Sequence, residues 1–103
     1  MNPFGGDPRK LMKQLQQAKE RMEAEIAALV VEASAGGGVV KVEMDGQKQL
    51  RSLKIDPEVV SKDELDMLQD LVLAAVNEAG RKVDEAVKEK VGGLTGGLNI
   101  PGL

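Results

Sequence analysis

Apolar residues recur every three or four positions near the start of the chain, which is the period of a helix with one apolar face. The spacing holds at Leu11, Leu15, Ala18 and Met22. Asp7-Pro8 stands just before them and combines a preferred N-cap residue with a proline suited to the first helical position. The pattern predicts a first helix over residues 8–28, preceded by a flexible N-terminus at residues 1–6.

The period then changes from three or four residues to two, which is typical of strands. Val40, Val42 and Met44 alternate with polar residues, and residues 50–55 form a second alternating run. A β-branched run begins at residue 29, a triple glycine follows it at residues 36–38, and Asp45-Gly46 is a hairpin-turn signal. Residues 29–56 are therefore predicted to form a three-stranded antiparallel sheet, which needs a helix or another sheet across its apolar face.

A second helical pattern follows the sheet. Ser61 and Glu64 have the spacing of a capping box, and apolar residues again recur every three or four positions as far as Val87. We predict a helix over residues 62–90, with a break left open at Gly80 because glycine disfavours helix interiors. The glycine-rich residues 91–103 are predicted to be a flexible tail.

The length of the second helix bears on assembly. Twenty-nine residues of helix are about 43 Å long, whereas a compact domain of this size has a radius of gyration near 13 Å. The far half of the helix must therefore protrude, and the first helix, running antiparallel, is the expected cover. The end of such an arm would gather residues 8–13 and 85–90. A dimer is favoured, and a helical hairpin on a monomeric sheet is the alternative.

Composition removes several classes of function. The chain has no Cys and no His, so disulfides, thiol chemistry, zinc fingers and imidazole catalysis are excluded. The acidic residues at positions 63–70 are explained by the dipole of the second helix, with no nucleophile–base pair nearby. We expect no enzymatic activity, cofactor, metal or small-molecule substrate. No long apolar run indicates a membrane span or a signal peptide, so a soluble intracellular protein is expected.

The charge distribution suggests where a polyanion would bind. The net charge is −3, yet residues 8–22 contain five basic side chains and only one acidic side chain, Glu20. The candidate DNA-binding residues are Arg9, Lys10, Lys13, Lys19, Arg21, Lys82, Lys88 and Lys90. Each also has a structural interpretation: a solvated face for the first three, salt bridges to Glu23 or Glu25 for the next two, and helix C-terminal capping for the last three.

The middle of the chain resembles a known family. The similar segments, in order, are Val39–Val42, Asp45-Gly46, Leu53–Glu58, Glu64-Leu65, Leu68–Val72 and Ala74–Ala79, with matching ends at Leu11–Gln14 and Gly96–Gly102. In this ordered set the chain resembles the YbaB/EbfC family of nucleoid-associated proteins. Where that family often has alanine, this chain has Gly80.

The resemblance implies an α+β fold, with an α-β-β-β-α protomer in a tweezer-shaped homodimer whose helical arms are paired. It also implies binding of double-stranded DNA in the cytoplasm and nucleoid, with effects on gene expression. Lysine and arginine at the arms suit phosphate contacts with weak sequence preference. The alternative is a non-enzymatic adaptor that grips a DNA repair or replication factor, which the acidic net charge favours.

Overall fold

The computed structural model describes residues 7–96. Its elements are α1 (Pro8–Ala27), β1 (Val30–Ala35), β2 (Val40–Asp45), β3 (Leu50–Ile55) and α2 (Leu65–Gly96). The strands form one antiparallel sheet in the order β1-β2-β3. The predicted α+β fold, α-β-β-β-α, is confirmed.

The core lies between one face of the sheet and α2. The buried apolar residues are Ala33, Val40, Val42 and Met44 from the sheet and Leu68, Ala75, Ala79 and Val83 from α2. The predicted inward face of β2 is thus confirmed. Alanines on α2 let the helix backbone approach the sheet closely, and the valines of β2 fill the space on either side.

Only two strands are covered by α2. The helix packs on β1 and β2, and β3 is left at the edge of the sheet. Leu53 and Ile55 pair with Val42 and Val40 and so share the face on which α2 lies. Leu53 is nevertheless 47% exposed, because no helix reaches it. The sheet therefore has an apolar edge that no helix among residues 7–96 covers.

Both ends of α2 differ from the prediction. The Ser61 side chain makes no capping hydrogen bond, and the chain enters α2 through a 3₁₀ turn at Lys62–Glu64, so the predicted capping box is wrong. The helix ends at Gly96 instead of residue 90, and the first part of the predicted flexible tail is helical. The rest of that tail, residues 97–103, and the predicted flexible N-terminus at residues 1–6 lie outside the described residues.

The helix passes through Gly80 without a break. A Cβ atom built at Gly80 would have no neighbour within 4 Å, so nothing requires glycine there. We expect Gly80→Ala to raise the free energy of unfolding by about 0.5–1 kcal/mol, because glycine in a helix interior loses more backbone entropy on folding. A urea melt measures this change, and a clear loss of stability would contradict the continuous helix.

The first helix stands away from the body of the protein. The radius of gyration is 20.6 Å, well above the value of about 13 Å for a compact chain of this length. No residue of α1 is buried. Ala18, Met22 and Ile26 are half-buried, whereas Leu11, Met12 and Leu15 are at least half exposed. The prediction that the far half of the second helix protrudes is therefore wrong: Val83 of α2 is buried in the core, and the helix that projects is α1. The apolar stripe of α1 is covered only towards its C-terminal end.

Candidate nucleic-acid interface

Three basic residues occupy the first two turns of α1. The helix starts here because the Asp7 carboxylate accepts a hydrogen bond from the Arg9 backbone N–H at 3.0 Å, and Pro8 follows as the first helical residue. At about 100° per residue, Arg9, Lys10 and Lys13 point away from the stripe that contains Leu11. All three side chains are exposed and form no ion pair with another described residue.

The next two candidates lie further along α1. Lys19 is 3.9 Å from Glu23 in an exposed i,i+4 pair, as its structural interpretation predicted. Such exposed pairs contribute little, so Lys19 can exchange this partner for another anion at small cost. Arg21 is exposed and has no ion pair within residues 7–96.

The candidates on α2 are more engaged with the chain. The Lys82 ammonium donates a hydrogen bond of 2.7 Å to the Glu32 carbonyl oxygen, at the edge of β1. Lys90 lies 3.9 Å from Glu25. Lys88 is exposed and has no ion pair in the described part of the chain.

The Lys90–Glu25 contact corrects the predicted geometry of the arm. Glu25 lies near the C-terminal end of α1, seventeen residues after Pro8 and about 25 Å from it along the helix. Residues 85–90 therefore lie beside the base of α1, and the prediction that they gather with residues 8–13 is wrong. Lys82 lies still further from the free end of α1, against β1. Arg9, Lys10 and Lys13 form one group at the free end of α1, and the candidates from α2 form a second group near the base of α1.

The turn between β2 and β3 holds both helices. Asp45 is 1% exposed, and its carboxylate accepts hydrogen bonds from the Gln49 and Gln47 backbone N–H groups and from Arg51. The hydrogen bond from Gln49 is the main cause of a pKa of Asp45 below its usual range; Gln47 and Arg51 act in the same direction, and burial opposes them. The Lys48 ammonium pairs with Asp84 of α2 at 2.8 Å.

Gly46 in the same turn touches α1. Its backbone N–H donates to the Leu29 carbonyl oxygen at 3.0 Å, and a Cβ atom at this position would lie 1.8 Å from the Ile26 carbonyl oxygen. Sequence reasoning treated Asp45-Gly46 only as a hairpin signal. Glycine is needed here for the close approach of α1 as well as for the turn, and no local sequence pattern reveals that contact.

A second missed feature is an apolar groove beside β3. The groove has a volume of about 460 Å³ and is lined by Ile55, Leu65, Leu68, Gln69, Val72 and Leu73. Leu73 is 61% exposed and Leu65 is 49% exposed. Leu65 is the first apolar residue of the repeat that predicts the second helix. The structure shows that this end of α2 extends past the strands it covers.

Residues 7–96 offer neither a metal site nor a membrane span. No group of three or more acidic side chains is placed to hold a metal ion. No helix there is both long enough and apolar enough to cross a membrane.

A three-stranded sheet crossed by one long helix, with a second helix projecting and carrying a basic free end, is an architecture suited to a polyanionic ligand. Comparison with known proteins gives the family. The model of the YbaB/EbfC DNA-binding family matches residues 5–98, and the chain belongs to this family. The family membership that the sequence resemblance indicates is confirmed.

Individual relatives support the same family assignment. A nucleoid-associated protein of Koribacter versatilis is 51% identical over 92 residues, which is 89% of this chain and 91% of the relative. A nucleoid-associated protein of Alkaliphilus metalliredigens is 50% identical and covers 97% of this chain and 92% of its own length. The crystal structure of an uncharacterized protein from Helicobacter pylori has the same fold, with a TM-score of 0.71 at 21% identity, covering 82% of this chain and 89% of that one.

Proposed function

We propose that the protein binds double-stranded DNA as a homodimer, mainly through phosphate contacts made by the free end of α1. The observation that carries this proposal is the exposed group of Arg9, Lys10 and Lys13, whose charges have no partner among the described residues. Cations in the first turns of a helix are mildly unfavourable because of the helix dipole. Helix stability therefore does not account for them, and phosphate binding does.

The type of contact favours weak sequence preference. Lysine and arginine at the end of a projecting helix neutralise phosphates without requiring the geometry of base edges. The single aromatic residue of the chain is Phe4, so a surface for stacking unpaired bases is lacking and duplex DNA is the better ligand. Arg21 and Lys88 are proposed as secondary contacts, whereas Lys19, Lys82 and Lys90 must first leave the partners described above.

The homodimer is proposed from uncovered apolar surface. The chain exposes 8085 Å², whereas a compact monomer of 11.0 kDa exposes about 5,600 Å². The groove beside β3 and the stripe at Leu11 and Leu15 supply apolar parts of that surface. Patches of this kind mark interaction sites. A second copy that covers them would place two basic helix ends on one particle.

The cellular role follows from the family. The relatives are named nucleoid-associated proteins, and we extend that location, within the cytoplasm, to this chain. Coating of DNA with weak sequence preference gives a route to effects on nucleoid organisation and gene expression. The rival proposal is an adaptor for a DNA repair or replication factor, favoured by the net charge of −3.

Titration of duplex DNA at several salt concentrations tests the proposed function. Six phosphate contacts from a dimer give a slope of log affinity against log salt of about −5, so affinity falls roughly a thousandfold between 50 and 200 mM salt. Two duplexes of unrelated sequence should bind within a few fold of each other. Binding with no salt dependence, or no binding to either duplex, would move the adaptor ahead.

Sedimentation equilibrium tests the dimer separately. The mass at micromolar concentration and high salt should be twice the 11.0 kDa of the chain, because an apolar interface is not weakened by salt. A monomer mass at that concentration would contradict the proposal.

A further inference from the structure

The face of the sheet opposite α2 separates its charges into two rows. We call this the outer face and define it by Glu32, Ser34, Lys41, Glu43, Ser52 and Lys54, which alternate with the core-facing residues of the three strands. Glu32 and Glu43 form an acidic row, and Lys41 and Lys54 form a basic row. The rows lie two residues apart along β2, which is about 7 Å.

Within each row like charges stand directly opposite each other on neighbouring strands. Glu32 pairs in register with Glu43 across β1 and β2, and Lys41 pairs with Lys54 across β2 and β3. Like charges in these positions destabilise a sheet, whereas opposite charges stabilise it. None of the four charged side chains forms an ion pair with another residue in the described part of the chain. This arrangement of charges lowers the free energy of unfolding. Solubility does not explain it, because interspersed charges of both signs keep a protein equally soluble.

We propose that the outer face docks against the outer face of a second copy of this chain. A two-fold axis that runs across the strands, midway between the rows, places the acidic row of one copy over the basic row of the other. Glu43 of each copy then faces Lys41 of its partner, twice by symmetry. The face also has a depression of about 470 Å³, bordered by these side chains and by Lys82, which gives opposing long side chains room to enter.

The charge pattern selects this occupant. A polyanion such as DNA would be repelled by Glu32 and Glu43, although Lys82 adds a third lysine at the β1 side of the depression. A uniformly basic partner would be repelled by the basic row. A copy of the same face is complementary to both rows at once, which is the requirement for an isologous interface. Because the ion pairs are exposed and few, the association is weak and salt-dependent.

This contact differs from the proposed apolar dimer and does not depend on DNA. The apolar groove lies on the α2 side of the sheet, so both contacts can form on one protomer. Two different two-fold contacts on each chain give either a closed group of four copies or an open chain of dimers.

Charge exchange within β2 tests the proposal. In wild-type protein at about 20 mM salt and high micromolar concentration, sedimentation velocity should show species at least twice the mass seen in 300 mM salt. The single variants K41E and E43K each place like charges across the two-fold axis, so each should weaken this association at least tenfold. The double variant K41E/E43K exchanges the two charges of β2 and should recover the self-association. A mixture of the two single variants should also recover it.

Folding of the variants is a second readout. K41E places a carboxylate opposite Lys54, and E43K places an ammonium opposite Glu32, so each variant replaces a pair of like charges with an attractive pair. Each variant protein should therefore melt at or above the wild-type temperature. The control K62E makes the same charge change as K41E away from the sheet and should leave association unchanged.

Three results would overturn the proposal. The first is a wild-type mass that does not change between low and high salt. The second is a double variant and a mixture that stay dissociated like the single variants. The third is K41E that keeps its self-association and loses DNA affinity, which would assign the face to DNA instead. None of these results bears on the apolar dimer, whose mass is measured at high salt.

Discussion

Replacing Arg9, Lys10 and Lys13 together with glutamine is expected to remove most of the salt dependence of DNA binding. In a dimer the change removes up to six phosphate contacts, and each contributes about −0.9 to the slope of log affinity against log salt. A slope near −5 should therefore flatten towards zero, with affinity at 50 mM salt reduced similarly for every duplex, because no base edge is read. Fluorescence anisotropy over a salt series measures both quantities.

The control for this variant removes the same charge from the body of the protein. Lys41, Lys54 and Lys62 are exposed residues away from α1, and their joint replacement with glutamine should leave most of the slope in place when the protein is at nanomolar concentration. Both variants should melt within a few degrees of wild type, since none of the six side chains is buried. A folded Arg9, Lys10 and Lys13 variant with an unchanged slope would exclude the free end of α1 from the site and direct attention to Arg21 and Lys88.

Gly46→Ala should produce the largest effect of any single methyl group added to this chain. The new Cβ would overlap the Ile26 carbonyl oxygen, a backbone atom that cannot rotate away. Relief requires the end of α1 to move and the hydrogen bond from Gly46 to Leu29 to lengthen. We expect a loss of about 1–3 kcal/mol in the free energy of unfolding, typical of overpacking, together with weaker DNA binding because the orientation of α1 changes.

Gly80→Ala is the matched control, because the same methyl group enters open space there and stability should rise. Urea melts of the two variants should thus shift in opposite directions. Equal stability of Gly46→Ala and wild type, with unchanged affinity for DNA, would show that the turn does not set the position of α1.

The fold was largely predictable because its signals are local. Val40, Val42 and Met44 alternate without interruption, and Asp7-Pro8 defines the start of α1 by itself. The predicted capping box was wrong because its signal is also local: the spacing of Ser61 and Glu64 in the sequence is the same for any backbone conformation between them. In the structure that backbone forms a 3₁₀ turn, and the Ser61 side chain makes no capping hydrogen bond.

The site was less predictable because it depends on how elements are set against each other. Residue types alone suggested that Lys90 and Lys13 could meet, as the ends of two antiparallel helices would. Their relative position depends on the turn between β2 and β3, where Gly46 allows the close approach of α1 and Lys48 pairs with Asp84 of α2. The spacing of charged residues along one strand likewise does not show which residue on the next strand is opposite, so the row formed by Glu32 and Glu43 became visible only with the register.

The absence of buried residues in α1 bears on the order in which the protein is made and folds. Most of the stability of a helix in a protein comes from packing of its apolar face, and none of the 20 residues of α1 is buried. The core is built from residues 33–83, all of them later in the chain. On the ribosome α1 therefore emerges before the core on which it depends and gains a lasting structure after it. It must wait for the turn at Gly46, which positions its end, and, in the proposed homodimer, for a second copy to cover Leu11 and Leu15. On that proposal, newly made chains present a basic, half-formed helix until they meet a partner.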